Sequence, residues 1–249
     1  MLMCRLLSHL DGFGDRHLSL LGHPYALART ALKYEFNMLV LNNVIGKVLD
    51  VGCGFTPYRY LFSNAEEYHG LEIDQPRNRN NPNVTHLYNG GTFPLEKNVY
   101  SAVICSQVLE HSFDPRLLLS EIYRVLLPGG RLYLSIPFIW QEHEQPFDSQ
   151  RFTSFGLKYQ LESVGFQCIT MHKTNPGISA FLQLLIEWLE SQKRAHIPRR
   201  FHRLWKIGMI LPYTALNLMG FCYRNFSSVK RGANSSEFYL DLVITATKP

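Results

Sequence analysis

Lys47-Val48-Leu49-Asp50-Val51 runs straight into Gly52-Cys53-Gly54, and no other stretch constrains the fold of this chain as tightly. The five residues read as a buried strand, ended by small residues that leave only backbone at the turn. In an open α/β sheet such a turn borders the ligand crevice, beyond the carboxyl ends of the strands. The remaining sequence has the alternation this sheet needs. Residues from Pro24 to Asn42 carry Ala, Leu, Met and aromatics at helical spacing, and a short helix is predicted over Thr56–Phe62. Glu67–Ile73 is predicted as a second strand, Gln75–Asn83 as a loop, Val84–Tyr88 and Val99–Cys105 as further strands. Asp114-Pro115 is an N-cap followed by proline at the first helical position, opening a helix over Arg116–Leu127 that Pro128-Gly129-Gly130 stops. Arg131–Ile136 then reads as strand, Thr153–Val164 as a helix closed by Gly165, Phe166–Met171 as strand and Glu237–Thr247 as the last strand. Strands separated by helices over about 120 residues imply α/β architecture with a doubly wound, mostly parallel sheet.

The chemistry around the turn narrows the ligand. A dinucleotide fingerprint wants a third glycine three residues after Gly54, where Pro57 stands. That glycine brings a pyrophosphate to a helix N-terminus, so its absence points to a nucleoside without phosphates. Asp50 adds a carboxylate that suits a cation. Eighteen residues beyond Gly54, Glu72 ends the second strand, placed to accept both ribose hydroxyls. A ribose, a positive charge and no phosphate describe S-adenosylmethionine.

Val48-Leu49-Asp50-Val51-Gly52-Cys53-Gly54 resembles the first motif of class I S-adenosylmethionine-dependent methyltransferases. Val108-Leu109-Glu110-His111, Glu121-Ile122-Tyr123-Arg124-Val125-Leu126 and Leu127-Pro128-Gly129-Gly130-Arg131-Leu132 resemble later motifs of the type 11 branch. The resemblance implies a seven-stranded sheet of order 3-2-1-4-5-7-6 with the last strand antiparallel. By position it implies that Glu72 holds the ribose, Ile73 packs on the adenine, Asn89-Gly90 edge the adenine amino group and Ser106-Gln107 line the methionine end. Gly52, Cys53 and Gly54 would form the floor, with the Cys53 thiol touching the cofactor. Asn89 stands where relatives carry Asp, and Ser101 likewise; Asn89 still accepts through its carbonyl oxygen.

Methyl transfer from a sulfonium is an in-line displacement, so positioning does much of the work and a base matters only if the acceptor loses a proton. Candidate side chains follow the fourth and fifth strands: Glu110-His111, then the run from Gln141 to Asp148 and Arg151-Phe152-Thr153. His143 is the first candidate base, with Asp148 and Arg151 as acceptor-orienting groups and His111 as a second imidazole at the rim. The His-x-x-Pro-x-Asp stretch resembles members of the family linked to sugar and surface-polysaccharide pathways. Glu142-His143-Glu144 are adjacent and point apart, and no further ligand cluster is evident, so no metal is expected.

Charge divides the chain. The total is 25 Lys+Arg against 20 Asp+Glu, formally +5. Residues 191–236 hold nine of the basic residues and no acid, leaving 16 basic against 20 acidic elsewhere. Residues 172–237 therefore read as a basic, apolar helical insert within a single domain spanning 1–249. Ile178–Leu189 is predicted as a nearly fully buried helix, and Ile207–Tyr223 runs 17 residues without a charge, just short of a spanning helix. The insert reads as a helical lid, as an interfacial element on an anionic membrane, or as a nucleic-acid contact; the apolar runs behind the basic residues disfavour the last. Five scattered cysteines without a Cys-x-x-Cys pair, and a start (Met1–Leu7) too soon polar for a secretory signal, suit the cytoplasm, with the inner membrane face as an added option. The expected partner is a small-molecule or lipid-linked acceptor of sugar, polyprenyl-linked or quinone-like type. The alternative is a non-catalytic cofactor-binding or membrane-associated scaffold on the same fold.

Overall fold

A computed structural model describes residues 20–40, 44–226 and 238–249; Met1–Leu7, Asn42, Lys230, Arg231 and Glu237 lie outside the described residues. In chain order the elements are α1 (Ala26–Leu39), β1 (Lys47–Val51), β2 (Glu67–Ile73), β3 (His86–Tyr88), β4 (Tyr100–Ser106), α2 (Pro115–Val125), β5 (Leu126–Pro137), α3 (Ser154–Val164), β6 (Gln167–Lys173), α4 (Ile178–His196), α5 (His202–Phe226) and β7 (Asp241–Thr247). The strands form one seven-stranded sheet of order β3-β2-β1-β4-β5-β7-β6. β7 runs antiparallel to both its neighbours, and the remaining pairings are parallel.

Two-sided burial explains the apolar strands. Leu49, Val51, Val103, Cys105, Leu132 and Leu134 face α2 and α3, while Val48, Ala102, Ile104, Tyr133 and Val243 face α1. The faces alternate residue by residue, as a pleated strand requires. Leu119 and Ile122 seal α2 to the sheet at 0% exposure, each contributing roughly 1.5–3 kcal/mol of hydrophobic stabilisation. Asp114 caps α2 by accepting from the Leu117 amide at 2.9 Å, and Thr153 caps α3 through the Gly156 amide.

The differences from expectation have local causes. α2 ends at Val125, because Leu126 already pairs with Tyr100 as the start of β5. Pro128-Gly129-Gly130 therefore lies inside that strand's span, at an irregularity in its pairing with β4, and Gly129 and Gly130 bond to the Lys248 backbone. Thr56–Phe62 forms only a 3-10 turn, Arg59–Phe62, and the stretch read as a loop after Gln75 contains one helical turn, Pro76–Arg79.

The insert between β6 and β7 is two helices, α4 and α5. Phe181, Leu185 and Trp188 of α4 are 56%, 42% and 56% exposed, which corrects the expectation of a nearly buried helix. Ala180 and Ile186 are buried on this helix, but most of its buried side chains are polar and are spent on specific bonds. Gln183 donates to the Pro24 carbonyl at 2.7 Å and accepts from the Ala28 amide at 3.2 Å. Glu187 accepts from Gln141, and Glu190 accepts from Lys193 and from Tyr213 of α5. From α5, Asn217 donates to the carbonyls of Leu21 and His23 at 2.6 and 3.0 Å. Gly220 lets α5 approach α1, since a Cβ there would stand 2.6 Å from Leu27 Cδ1.

One ion pair ties β6 to α1: His172 Nδ1 lies 3.0 Å from Glu35 Oε2. The hydrogen bond with Glu35 raises the His172 pKa, against the opposing effect of burial. A raised folded pKa gives stability that is fully present below the unfolded value of about 6.5 and is lost as pH rises through the folded value. The melting-temperature gap between wild type and His172→Gln should therefore be widest near pH 6 and close by about pH 9; a gap that widens with pH would show the pair is not formed.

Candidate active site

The order of strands reverses between β1 and β4, and the crevice opens there. A cavity of about 620 Å³ occupies it, its lining shared by Asp50, Gly52, Ser106, Gln107, His111 and His143. Gly52 sits at φ +68° with Val108 Cγ2 2.3 Å from where a Cβ would be, so no larger residue fits the turn. Gly54, at φ +49°, has nothing within 4 Å of that position; its open side is a cradle that a side chain would fill. Glu72 closes over the same turn, Oε1 accepting from the Gly54 amide at 2.8 Å and Oε2 from Asn78 Nδ2 at 3.2 Å. Asn78 also donates to the Ile73 carbonyl at 2.9 Å. It is a positioning residue that sequence reading missed, its only signal a polar residue just after Pro76.

Asp50 is buried, and Tyr68 donates to its Oδ2 at 2.5 Å. Burial pushes its carboxyl up to about 7, with Tyr68 pulling down and the Glu72 charge adding to the rise. Asp241, which begins β7 and lines the same cavity, is also raised to about 7 by burial, against hydrogen bonds from Thr174 and Gln107. Two desolvated carboxyls on one cavity are what a cationic ligand would compensate. Across the floor, Ser106 and Ser135 share a 2.8 Å hydroxyl bond. Gln107, at φ +57°, donates from its amide to the Ser135 carbonyl at 2.9 Å and from Nε2 to Ser135 Oγ at 3.2 Å.

Cys53 departs from expectation. Its thiol is buried beside Gly70 and donates to the Asn83 carbonyl at 3.8 Å, toward β2, while the residue itself lines the cavity. Burial, then Asp50 and Glu72, push it up to about 12, a thiol that stays protonated. Ile73 packs on the core, and Gly90 lies against it, 3.8 Å from Ile73 Cδ1 to the glycine's Cβ position. Asn89 is exposed beyond β3. Glu72 stands at the Gly54 cradle and Gly90 beside Ile73, and with Asn89 they lie outside the lining of the larger cavity.

The second group converges from two strand ends. His143 donates its backbone N–H to Asp148 Oδ2 at 3.0 Å, and its Nδ1 lies 3.1 Å from the same oxygen and 3.3 Å from the Gln141 carbonyl. Two acceptors at Nδ1 place the ring proton there and leave the Nε2 lone pair free. Arg151 grips Asp148 with both nitrogens, at 2.5 and 2.6 Å. Burial of Asp148 opposes its ionisation, but the bonds from Arg151 and His143 outweigh it and hold the carboxyl at about 2. His111 and His143 meet edge to face, ring centroids 4.9 Å apart. Burial, then His143, hold His111 below the ordinary imidazole range. Beneath both rings lies Glu110, 0% exposed and with neither carboxylate oxygen hydrogen-bonded. Burial pushes its carboxyl up to about 8. Its carbonyl accepts from the Ser149 and Gln150 amides, fastening the loop that carries His143 and Asp148. Tyr25, Arg29, Trp140 and Gln141 also line the wall; the first three had no local signature in the sequence.

This sheet order with a glycine-floored crevice is the class I methyltransferase fold, and the methyltransferase-domain match supports S-adenosylmethionine as cofactor. Residues 49–134 match the methyltransferase-domain family model of type 11. No curated protein matches the chain. Among solved structures, a S-adenosylmethionine-dependent methyltransferase from Archaeoglobus fulgidus is 14% identical with a TM-score of 0.52, over 89% of this chain and 94% of that one. The 4+2 cyclase SpnF is 21% identical with a TM-score of 0.54, over 86% and 81%. Phosphoethanolamine N-methyltransferase 2 of Haemonchus contortus, solved with phosphomonomethylethanolamine and S-adenosylhomocysteine, is 16% identical with a TM-score of 0.50, over 87% of this chain and 53% of that one. A cyclase among them shows that likeness of fold does not set the reaction.

Proposed function

We propose that the enzyme methylates a small-molecule or lipid-linked acceptor, of sugar, polyprenyl-linked or quinone-like type, that enters beside the insert. One observation carries this reading: the cavity floored by Gly52 is also walled by His111, His143 and the insert-held Gln141. When bound, S-adenosylmethionine supplies a methyl group on a sulfonium. Glu72 would accept from the ribose hydroxyls, Ile73 pack on the adenine, Asn89-Gly90 border its amino group, and Ser106-Gln107 line the methionine end. Asp50 and Asp241 face the cationic end. His143 would take the acceptor's proton at Nε2, Asp148 stabilising the imidazolium and Arg151 holding Asp148.

Calorimetric titration with S-adenosylmethionine and S-adenosylhomocysteine tests the cofactor half, and turnover on quinones, glycolipids and sugar nucleotides tests the rest. Binding without turnover on any of them would favour the scaffold reading; no binding would sink both. Glu72→Ala should weaken cofactor binding by about 1–3 kcal/mol, roughly ten- to a hundredfold, through loss of charge-assisted bonds and of the carboxylate that steadies the Gly54 amide. Unchanged affinity would mean Glu72 is misassigned.

A lipid-linked acceptor is favoured by the outer face of the insert. Leu204, Ile207, Leu211 and Leu218 of α5 are exposed at helical spacing, beside exposed Arg199, Arg200, Arg203 and Lys206. Apolar residues flanked by cations suit an anionic interface. No helix among the described residues is long and apolar enough to cross a membrane. Sedimentation with anionic liposomes should pull the protein down at low salt and release it at high salt; indifference to liposomes would end the membrane reading.

A further inference from the structure

We propose that Glu110, His111 and His143 form a site for one divalent transition-metal ion, zinc fitting best, on the acceptor wall of the crevice. Glu110 and His111 come from the turn after β4, and His143 from the loop after β5. Glu110 Oε1 lies 3.8 Å from His111 Nε2 and 3.9 Å from His143 Nε2, and one donor atom from each residue falls within 4.8 Å of the other two. Tetrahedral zinc with ligands at about 2.0–2.2 Å spaces its donors about 3.4 Å apart. The two Glu110 separations are wider than that by about half an ångström and the imidazole pair lies within 4.8 Å, so the rings must close in by rotation of their side chains. Two imidazoles and one carboxylate suit zinc and its neighbours, whereas magnesium and calcium want all-oxygen shells.

Partnering separates this cluster from a chance meeting of side chains. A fully buried carboxyl with neither oxygen hydrogen-bonded is costly, and Glu110 is in that state. It is aimed at two imidazole nitrogens that stand too far for hydrogen bonds and close enough to share an ion. His143 also has the outer partner that metal-bound imidazoles carry: Asp148 at Nδ1, itself clamped by Arg151, which turns Nε2 toward Glu110. His111 and His143 both line the cavity, so a fourth position would open onto the crevice and take water or an acceptor oxygen. Glu142 and Glu144, the acids beside His143 in sequence, are exposed and stand outside the cluster. The site stands on this cluster alone, whichever acceptor is methylated. With an ion in place His143 Nε2 is a ligand, and the base role describes the metal-free crevice.

The test uses the full chain, stripped with a chelator and titrated with zinc by calorimetry, with neither cofactor nor acceptor present. One equivalent should bind, and Glu110→Gln and His143→Gln should each weaken it at least tenfold while still melting cooperatively. Cobalt in place of zinc should give the visible absorption of a low-symmetry nitrogen–oxygen site, lost in both variants. Absence of a stoichiometric site, or equal affinity in both variants, overturns the proposal. If a variant does not fold, X-ray absorption of the zinc-loaded wild type decides: two imidazole ligands uphold the site, and sulfur ligation overturns it.

Discussion

His143→Gln is expected to lower kcat by roughly 10²–10⁴-fold, the range for a lost proton-transfer group, with cofactor affinity unchanged. Glutamine fills the ring's place and can still bond Asp148, so the loop keeps its anchor. What disappears is the imidazole nitrogen at the Nε2 position, the atom both proposed roles require. Cofactor affinity is spared because Asp50, Gly54 and Glu72 come from β1, the turn after it and β2, and their hydrogen bonds do not involve His143. Steady-state kinetics with a panel acceptor, paired with calorimetry of S-adenosylhomocysteine, reads the two quantities separately. A fall of less than threefold in kcat would leave His143 as a loop residue only.

Asp148→Ala should cost about 3 kcal/mol of stability, which for a chain of this size lowers the melting temperature by roughly 6–12 °C. The carboxylate is 2% exposed and holds both nitrogens of Arg151 as well as the His143 amide. Its removal leaves a guanidinium, only 26% exposed, without its counter-charge. Asp148→Asn keeps the shape and loses the charge, so it should fall between. A thermal melt followed by circular dichroism checks both. A shift under about one degree in the alanine variant would mean that Ser149, bonded to the carbonyls of Glu110 and Ser112, holds the loop alone.

Local chemistry was legible wherever one segment decides its own state. Lys47–Val51 and Glu67–Ile73 could be read to the residue, because apolar runs bounded by turn formers admit little else. The Asp114 cap was legible for the same reason. Pro128-Gly129-Gly130 misled because β7 supplies backbone partners through Lys248, more than a hundred residues on. Phe181, Leu185 and Trp188 looked like core residues, yet helical spacing says only that side chains share a face, not which way it turns. In the site, the glycine turn and Glu72 were readable from one βαβ unit. The meeting of Glu110 and His143 was not, since only the adjacency of β4 and β5 brings those loops together. The direction of the Cys53 thiol was hidden likewise, being decided by the space above Gly70 in the neighbouring strand.

The grip of Gln183 and Asn217 on the backbone of residues 21–28 spans 155 to 196 positions of sequence. A growing chain emerges from its N-terminus, so Tyr25 and Arg29 are synthesised early, long before the helices that hold them. β1 to β5 can pair as they appear, since their contacts lie close in sequence, while the loop closure that seats residues 21–28 must wait for α5. The wall of the cavity nearest the start of the chain therefore waits for the final helix, and Asp241 of β7 completes the lining only after it.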